Sequence, residues 1–513
     1  MRLNILIGGK AGQGINKVSE IVSKVLVSQG YFIFNYRDYP SLIRGGHNFN
    51  ILSVSDKRVG SFESKLDGII ALDNKTEGFH KKELKKEGFV ICFDDFEKDN
   101  LGRNLNIALA GALIKILGIK EKILDEEVRR EIKNEEAVKA AKIGFESQKE
   151  KFNLKKLNNK IQIRTGSQAV SQGALNSEID FYVSYPMTPA TGVLHELGGK
   201  QKEKGSKLVV FQAENEISVI NSALGISFTG KKVMVGTSGG GFDLMTEALS
   251  FSGQAELPLV IYLASRPGPG TGVPTYTSQA DLDIALRAGH GEFPRIVIAP
   301  GDPIEAVEKT NEAFYLSYKF NIPSVILSDK HLAESEFSSD RKPNEILKIE
   351  INRKIPGKEI IKANSYEHDL QGNTTESALL TKQGAERRLK KYEEIKKEVK
   401  KFEMIKIFGK KQSKNLVMGW GSTKTVILDA ISDLDCKFLQ VLYLKPLSNE
   451  IKKEMENAKN IILVENNLTG QLGRLLREKT GLSIKKENRI LKYDARPFLS
   501  DELRKEIKRR LEK

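Results

Sequence analysis

Cysteine is almost missing from this chain: Cys92 and Cys436 are the only two among 513 residues. They lie far apart, each expected inside a core strand, so they form no CxxC metal or redox motif. An iron–sulfur cluster takes four thiolates, and any cluster serving this protein must therefore belong to a partner. Long apolar runs are missing as well; none approaches the roughly 20 residues that cross a bilayer. The opening Met-Arg-Leu-Asn-Ile-Leu-Ile has neither the apolar core nor the small-residue cleavage site of a secretory signal. A cytoplasmic protein with no membrane partner is expected. Recognition-helix, zinc-finger and RNP-type signatures do not occur. The net charge of +15 is distributed in mixed runs such as Lys81–Glu87 and Glu393–Lys401, where acid and base pair along solvated helix faces. No nucleic-acid partner is expected, although a basic surface can also attract an acidic protein.

What is present is an ordinary globular composition, 29% charged and 39% hydrophobic. At about 150 residues per domain, about three domains are expected. Residues 1–145 alternate a helix near Ile15–Gln29 with strands near Leu3–Ile7, Tyr31–Tyr36, Asn48–Val54, Gly68–Leu72 and Phe89–Phe93, an α/β layer pattern. Residues 146–160 lose periodicity and read as a linker. Residues 161–335 carry a second α/β pattern. Its strands, near Phe181–Ser184, Leu208–Phe211, Lys232–Val235, Leu259–Ala264, Arg295–Ala299 and Ser324–Ser328, are so uniformly apolar that buried parallel strands are predicted. A polar connecting segment, 336–412, precedes a third α/β domain at 413–513.

The residues able to carry chemistry fall at predicted strand ends. In residues 181–191 an apolar run stops in Tyr185-Pro186-Met187-Thr188-Pro189. Both prolines fix φ and restrain the residue before them, so the backbone around Thr188 is rigid and a hydroxyl reaches a sheet edge. Ligands of open α/β sheets settle beyond the carboxyl ends of the strands. After the next strand, Glu214-Asn215-Glu216 opens a helix whose face is Ser, Ala, Gly and Ile. Small residues there admit a flat ligand, and the helix dipole favours a carboxylate at its start. Gly236-Thr-Ser-Gly-Gly-Gly241 follows a third strand. A fourth is followed by Arg266 in a Gly/Pro loop, placed to grip a carboxylate or phosphate. Four such tips in one domain predict a site. Gly9, Gly12 and Gly14 lie between the first strand and the first helix, where backbone amides could cradle an anion, serve an interface or simply form a tight turn. Their spacing inverts the dinucleotide G-x-G-x-x-G, and no Gly-Lys-Ser/Thr follows.

Together these motifs resemble the 2-oxoacid:acceptor (ferredoxin) oxidoreductases. Residues 161–335 are similar to the family's α subunit, through Tyr185–Thr191, Glu214–Glu216, Gly236–Phe242 and Arg266–Thr275. Residues 1–145 are similar to its γ subunit, through Gly9–Gly14 and the Tyr39–His47 motif, Tyr-Pro-Ser-Leu-Ile-Arg-Gly-Gly-His. Residues 413–513 are similar to its transketolase C-terminal-like domain, through Gly419–Thr423, Val464–Leu472 and Tyr493–Phe498. The resemblance implies a fused γ–α order and three α/β domains, one of them a thiamine-diphosphate-binding, pyrimidine-type domain. It implies oxidative decarboxylation of a 2-oxoacid such as 2-oxoglutarate or pyruvate, with coenzyme A as co-substrate and ferredoxin as electron acceptor. Glu216 would hydrogen-bond the aminopyrimidine of the cofactor, favouring the imino tautomer that takes the C2 proton. Tyr185 and Pro186 would border that cofactor, and Thr188 and Arg266 would hold the substrate carboxylate. The Gly-Asp-Gly…Asn motif for Mg²⁺ and diphosphate is absent, as are cluster cysteines. The family carries both on a separate β subunit, so no metal site is expected here and the cofactor is shared with that partner. Two other readings stay open: a nucleotide-dependent oxidoreductase using Gly9–Gly14 with Asp38 on the ribose, and a non-catalytic assembly subunit of the same fold.

Overall fold

The computed structural model describes residues 1–42 and 45–512, so Ile43 and Arg44 of the Tyr39–His47 motif lie outside the described residues. The chain divides into two compact units. One is Met1–Arg164 with Ser335–Arg341 and Leu499–Arg504; the other is Thr165–Glu334 with Lys342–Phe498 and the residues from Lys505 on.

The first unit is built on a mixed sheet ordered Leu84–Cys92, Leu66–Ala71, Arg2–Lys10, His47–Ser55, Phe32–Asp38, Glu336–Ser339 and Gln162–Thr165. Ile5, Leu6 and Ile7 are all fully buried, as expected for a strand paired on both sides and covered on both faces. The helix Ile15–Ser28 repeats Ile15, Val18, Val22, Val25 and Leu26 at helical spacing, which gives one apolar face. That face packs in a core with residues of the helices Leu105–Ile116 and Glu135–Glu146. Residues 149–161 have no regular structure, yet the amides of Phe152, Leu154 and Leu157 donate to the carbonyls of Ile116, Leu117 and Gln29 at 2.8, 3.1 and 2.8 Å.

Two sheets make up the second unit. The larger runs Tyr443–Lys445, Ile296–Ile298, Pro323–Asp329, Leu259–Ser265, Val233–Thr237, Phe181–Ser184 and Val209–Gln212. All its neighbours pair in parallel except Tyr443–Lys445. Its central strand, Leu259–Ser265, is buried throughout. The expectation of buried parallel strands fails at Val209–Gln212, where Val209 is 41% and Phe211 47% exposed. This strand lies at the end of the sheet order, with a neighbour on one side only. The cysteine expectation is corrected too. Cys92 is the half-buried last residue of its strand, and Cys436 is buried just ahead of Lys437–Val441, so neither lies within a core strand.

The smaller sheet, ordered Ile405–Gly409, Lys437–Val441, Asn415–Trp420, Asn460–Glu465 and Arg489–Leu491, shares one apolar core with the larger. Val235, Ile261 and Val297 belong to the same buried cluster as Met418, Trp420 and Leu439. Because the strands of the larger sheet run parallel, Ser184, Gln212, Thr237, Ser265 and Asp329 all end at one edge.

Candidate functional site

At that edge the strand Phe181–Ser184 gives way to Tyr185, which is exposed, and then to the half-buried Met187 and Thr188. The Thr188–Pro189 peptide is cis, and the helix Thr191–Gln201 follows. Arg266 stands just past the strand Leu259–Ser265 and reaches across to this turn, its Nη1 donating to the Thr188 carbonyl at 2.9 Å. Burial pulls the Arg266 pKa below its ordinary value, while the carboxylates of Asp281 and Glu216 oppose that shift. Two of the sequence-predicted residues thus touch directly, and the third lies within electrostatic reach.

Glu216 is the first residue of the helix Glu216–Phe228. Asn215 caps that helix by accepting from the Ser218 amide at 2.9 Å, which leaves the Glu216 side chain free to turn inward. It is only 3% exposed, and its Oε1 is buried without a hydrogen-bond partner. A carboxylate oxygen in that state is costly, and it is satisfied by a ligand that brings an N–H or O–H donor. Close beside it begins the helix Gly239–Gln254. A methyl group on Gly241 would lie 2.6 Å from Glu216 Oε1 and 2.2 Å from Thr237 Oγ1. Gly241 is therefore required by the close approach of the Glu216 carboxylate and the Thr237 hydroxyl.

Two features at this edge were not legible as functional. Asp281 lies where it would be taken for the N-cap of the helix Leu282–Arg287, yet its side chain makes no capping bond. It packs instead on the glycine run, so that a methyl on Gly239 would lie 2.6 and 2.7 Å from its two oxygens. Its Oδ2 is buried without a partner. Burial pushes the Asp281 carboxyl up to about 6, with Asp243 adding to the rise and Ser265 and Arg266 tempering it.

Gln279, fully buried, is the other. Its Nε2 donates to the Trp420 carbonyl at 2.8 Å, and its Oε1 accepts from the Asn466 amide at 2.9 Å. Gln471 continues the fastening: its Nε2 donates to the Ala280 carbonyl at 2.7 Å, and its Oε1 accepts from the Leu282 amide at 3.0 Å. The turn at Trp420 and the segment from Asn466 to Gln471 are two of the C-terminal motifs singled out from sequence. They clamp the loop that follows Arg266.

The Gly9–Gly14 loop belongs to the first unit and forms a tight strand-to-helix turn. Gly12 and Gly14 have φ of 90 and 87°, a region glycine enters without penalty. Gly9 does not share it; its constraint is Gln13 Oε1, 2.6 Å from where a methyl would lie. Gln13 Oε1 itself accepts from the Lys10 amide at 2.6 Å. Asp38 is buried and accepts from the Tyr36 hydroxyl at 3.0 Å.

A parallel sheet whose strand ends gather a buried carboxylate, an arginine and a glycine-started helix is the architecture of a cofactor-dependent α/β enzyme. Residues 172–404 match the family model "Pyruvate flavodoxin/ferredoxin oxidoreductase, thiamine diP-bdg", and residues 4–100 match "Pyruvate ferredoxin/flavodoxin oxidoreductase". The α subunit of a 2-oxoacid:ferredoxin oxidoreductase from a Sulfolobus species is 31% identical over 98% of this chain and 96% of its own. That of Saccharolobus solfataricus is 30% identical over 99% and 98%. A solved 2-oxoglutarate:ferredoxin oxidoreductase from Magnetococcus marinus, with 2-oxoglutarate, coenzyme A and succinyl-CoA bound, has the same fold, with a TM-score of 0.90 over 99% of both chains at 23% identity. The chain belongs to the α-subunit family of the 2-oxoacid:ferredoxin oxidoreductases, and its central domain is of the thiamine-diphosphate-binding type.

Proposed function

We propose that this chain is the α component of a complex that oxidatively decarboxylates a 2-oxoacid (2-oxoglutarate, pyruvate or a close relative) to its acyl-CoA and passes the electrons to ferredoxin. The observation that carries the reading is the buried, partnerless Oε1 of Glu216. It fits the donor that the aminopyrimidine of thiamine diphosphate would bring. The bound cofactor supplies the nucleophilic carbon and the electron sink for decarboxylation. The chain's own residues do the rest. Glu216 holds the ring and fixes its tautomer; water exclusion strengthens that hydrogen bond. Arg266, steadied by the Thr188 carbonyl, receives the substrate carboxylate together with Thr188. Tyr185 and Pro186 border the cofactor at the open side of the edge.

In this reading residues 1–145 are the γ-type domain, 161–335 the pyrimidine-binding domain and 413–513 the transketolase C-terminal-like domain, joined by 146–160 and 336–412. Iron–sulfur chemistry needs four thiolates per cluster and the sequence has two cysteines, so the cluster is assigned to a separate β subunit, with the Mg²⁺ and diphosphate site. Among the described residues no helix is long and apolar enough to cross a membrane, and the cytoplasm is the proposed place of action.

The test is reconstitution. The purified chain alone is expected neither to decarboxylate a 2-oxoacid nor to reduce ferredoxin, and to gain both activities with a β subunit carrying Gly-Asp-Gly and clustered cysteines. Full activity from the isolated chain overturns the proposal. In the reconstituted complex Glu216→Gln is expected to lower turnover by a hundredfold or more, on the order of losing one preorganised polar contact, while thiamine diphosphate still binds in an equilibrium titration.

A further inference from the structure

Arg266 makes no ion pair among the described residues; its one hydrogen bond from the side chain goes to an uncharged carbonyl, that of Thr188. Its charge is nevertheless not isolated, because Asp281 and Glu216 both act on it. The two carboxyls lie against the same glycine turn, Asp281 at Gly239 and Glu216 at Gly241. Each has a buried oxygen with no partner. The backbone on both sides of Asp281 is held in place, the Gln279 amide by the Asn466 carbonyl and Ala280 and Leu282 by Gln471. The charged groups facing it are Asp243 from the helix Gly239–Gln254 and Arg266 from the neighbouring strand end, with Glu216 beyond. Asp283, next on its own element, is taken up by Arg474.

We infer that Asp281 is a positioning residue that sets the charge Arg266 presents to the substrate carboxylate, so that binding of the 2-oxoacid is coupled to uptake of a proton by Asp281. The inference rests on the reading of Arg266 as the carboxylate anchor. When Asp281 is ionised, Arg266 is partly neutralised, and an incoming carboxylate meets two negative groups around one positive one. When Asp281 carries a proton, the guanidinium charge is unopposed on that side. Bringing the substrate's negative charge to Arg266 makes ionised Asp281 less favourable still, and the proton comes from solvent. Burial already holds the carboxyl near 6, so the switch falls within the range where the enzyme can be assayed. If binding raises that value by one unit, 2-oxoacid affinity falls about tenfold from the acid to the alkaline side of the transition. Uptake at pH 7 is then about 0.4 of a proton per substrate bound.

The experiment uses the reconstituted complex with pyruvate and 2-oxoglutarate as probes. KM is measured from pH 5.5 to 8.5 for the wild type, Asp281→Asn and Arg266→Ala. For the wild type, KM is expected to rise roughly tenfold with pH, and for Asp281→Asn to stay near the wild-type acid value, with the effect on KM rather than kcat. A wild-type KM that is flat with pH, or an Asp281→Asn complex that keeps the wild-type slope, overturns the inference. Calorimetric titration of the wild-type complex with the same 2-oxoacids, in buffers of different ionisation enthalpy, reads the proton without any variant; zero uptake at pH 7 also overturns it. An unchanged KM in Arg266→Ala would instead bring down the underlying assignment of Arg266. A raised KM there, with no Asp281 effect, defeats only the coupling.

Discussion

Replacing Gly241 by alanine separates catalysis from folding more cleanly than removing any charged group. The position is inside the first turn of the helix Gly239–Gln254, so alanine suits the backbone and gains up to about 1 kcal/mol of helix propensity. The new methyl, however, would lie 2.6 Å from Glu216 Oε1 and 2.2 Å from Thr237 Oγ1, whereas ordinary contact begins at 3.4 Å. Relieving the Glu216 contact takes a retreat of about 0.8 Å by the carboxylate, and relieving the Thr237 contact about 1.2 Å by the hydroxyl or the helix start. Overpacking of this kind costs about 1–3 kcal/mol, so net stability should fall by no more than about 3 kcal/mol. A displacement near 1 Å in a positioned catalytic group costs about a hundredfold in rate. We expect the Gly241→Ala complex to keep a thermal transition within several degrees of the wild type while its 2-oxoacid-dependent reduction of methyl viologen drops about a hundredfold at saturating substrate. Wild-type turnover in a folded Gly241→Ala complex would refute the argument, because it would mean that the place of the Glu216 carboxylate does not matter to the reaction.

Two further outcomes concern buried charge. Lys424, with its side chain 2% exposed, holds Asp302 Oδ2 and Glu305 Oε1 at 2.5 Å each. Lys424→Met removes that ammonium from both carboxylates, while Lys406 stays 3.3 Å from Glu305 and the Gly301 amide and Gln440 still donate to Glu305 Oε2; it should destabilise the chain by about 3–5 kcal/mol in a urea titration, and a loss below about 1 kcal/mol would show that these remaining partners suffice. Asp329 accepts from the Ser422 hydroxyl at 2.5 Å, and burial raises its carboxyl to about 6. A raised acid binds its proton more tightly when folded, so its stabilising contribution is full below about pH 4 and lost as pH rises through about 6, by about 3 kcal/mol in all. The Tm of Asp329→Asn relative to wild type should therefore increase between pH 4 and 7; parallel Tm–pH curves contradict the assigned burial.

Much of the edge was legible because its signals are local. Apolar runs stop at Ser184 and Ser265, and prolines, glycines, Glu216 and Arg266 follow at once in the chain. In parallel strands that local order becomes spatial convergence. Asp281 and Gln279 were not legible, for their meaning depends on residues such as Asn466, 187 positions away from Gln279, and no periodicity encodes such a partner. By local sequence Asp281 is a helix cap, and only the packing against Gly239 shows its carboxyl facing elsewhere. The strand Val209–Gln212 failed for a related reason. Its composition matches a central strand, but exposure is decided by how many neighbours a strand has. Lysines at the start of Leu84–Cys92 hid its first half for a different reason: the mixed run Lys81–Glu87 suggests a helix face, yet Leu84–Glu87 lies in the strand, with Lys85 paired to Asp67 at 2.8 Å.

The fastening of Gln279 to Trp420 and Asn466 carries a lesson for anyone recombining relatives of this chain. The loop that follows Arg266 and the C-terminal sheet behave like a key and its ward, cut to each other over buried amides beside a shared apolar core. Exchanging residues 413–513 alone between relatives would mismatch the two halves even where both folds survive, whereas moving them together with residues 275–329 would also carry Asp302 and Glu305, which hold Lys424, and Asp329, which accepts from Ser422. The C-terminal sheet therefore travels with the stretch of the larger sheet's domain that follows Arg266, and a library of chimeras should place its crossovers accordingly.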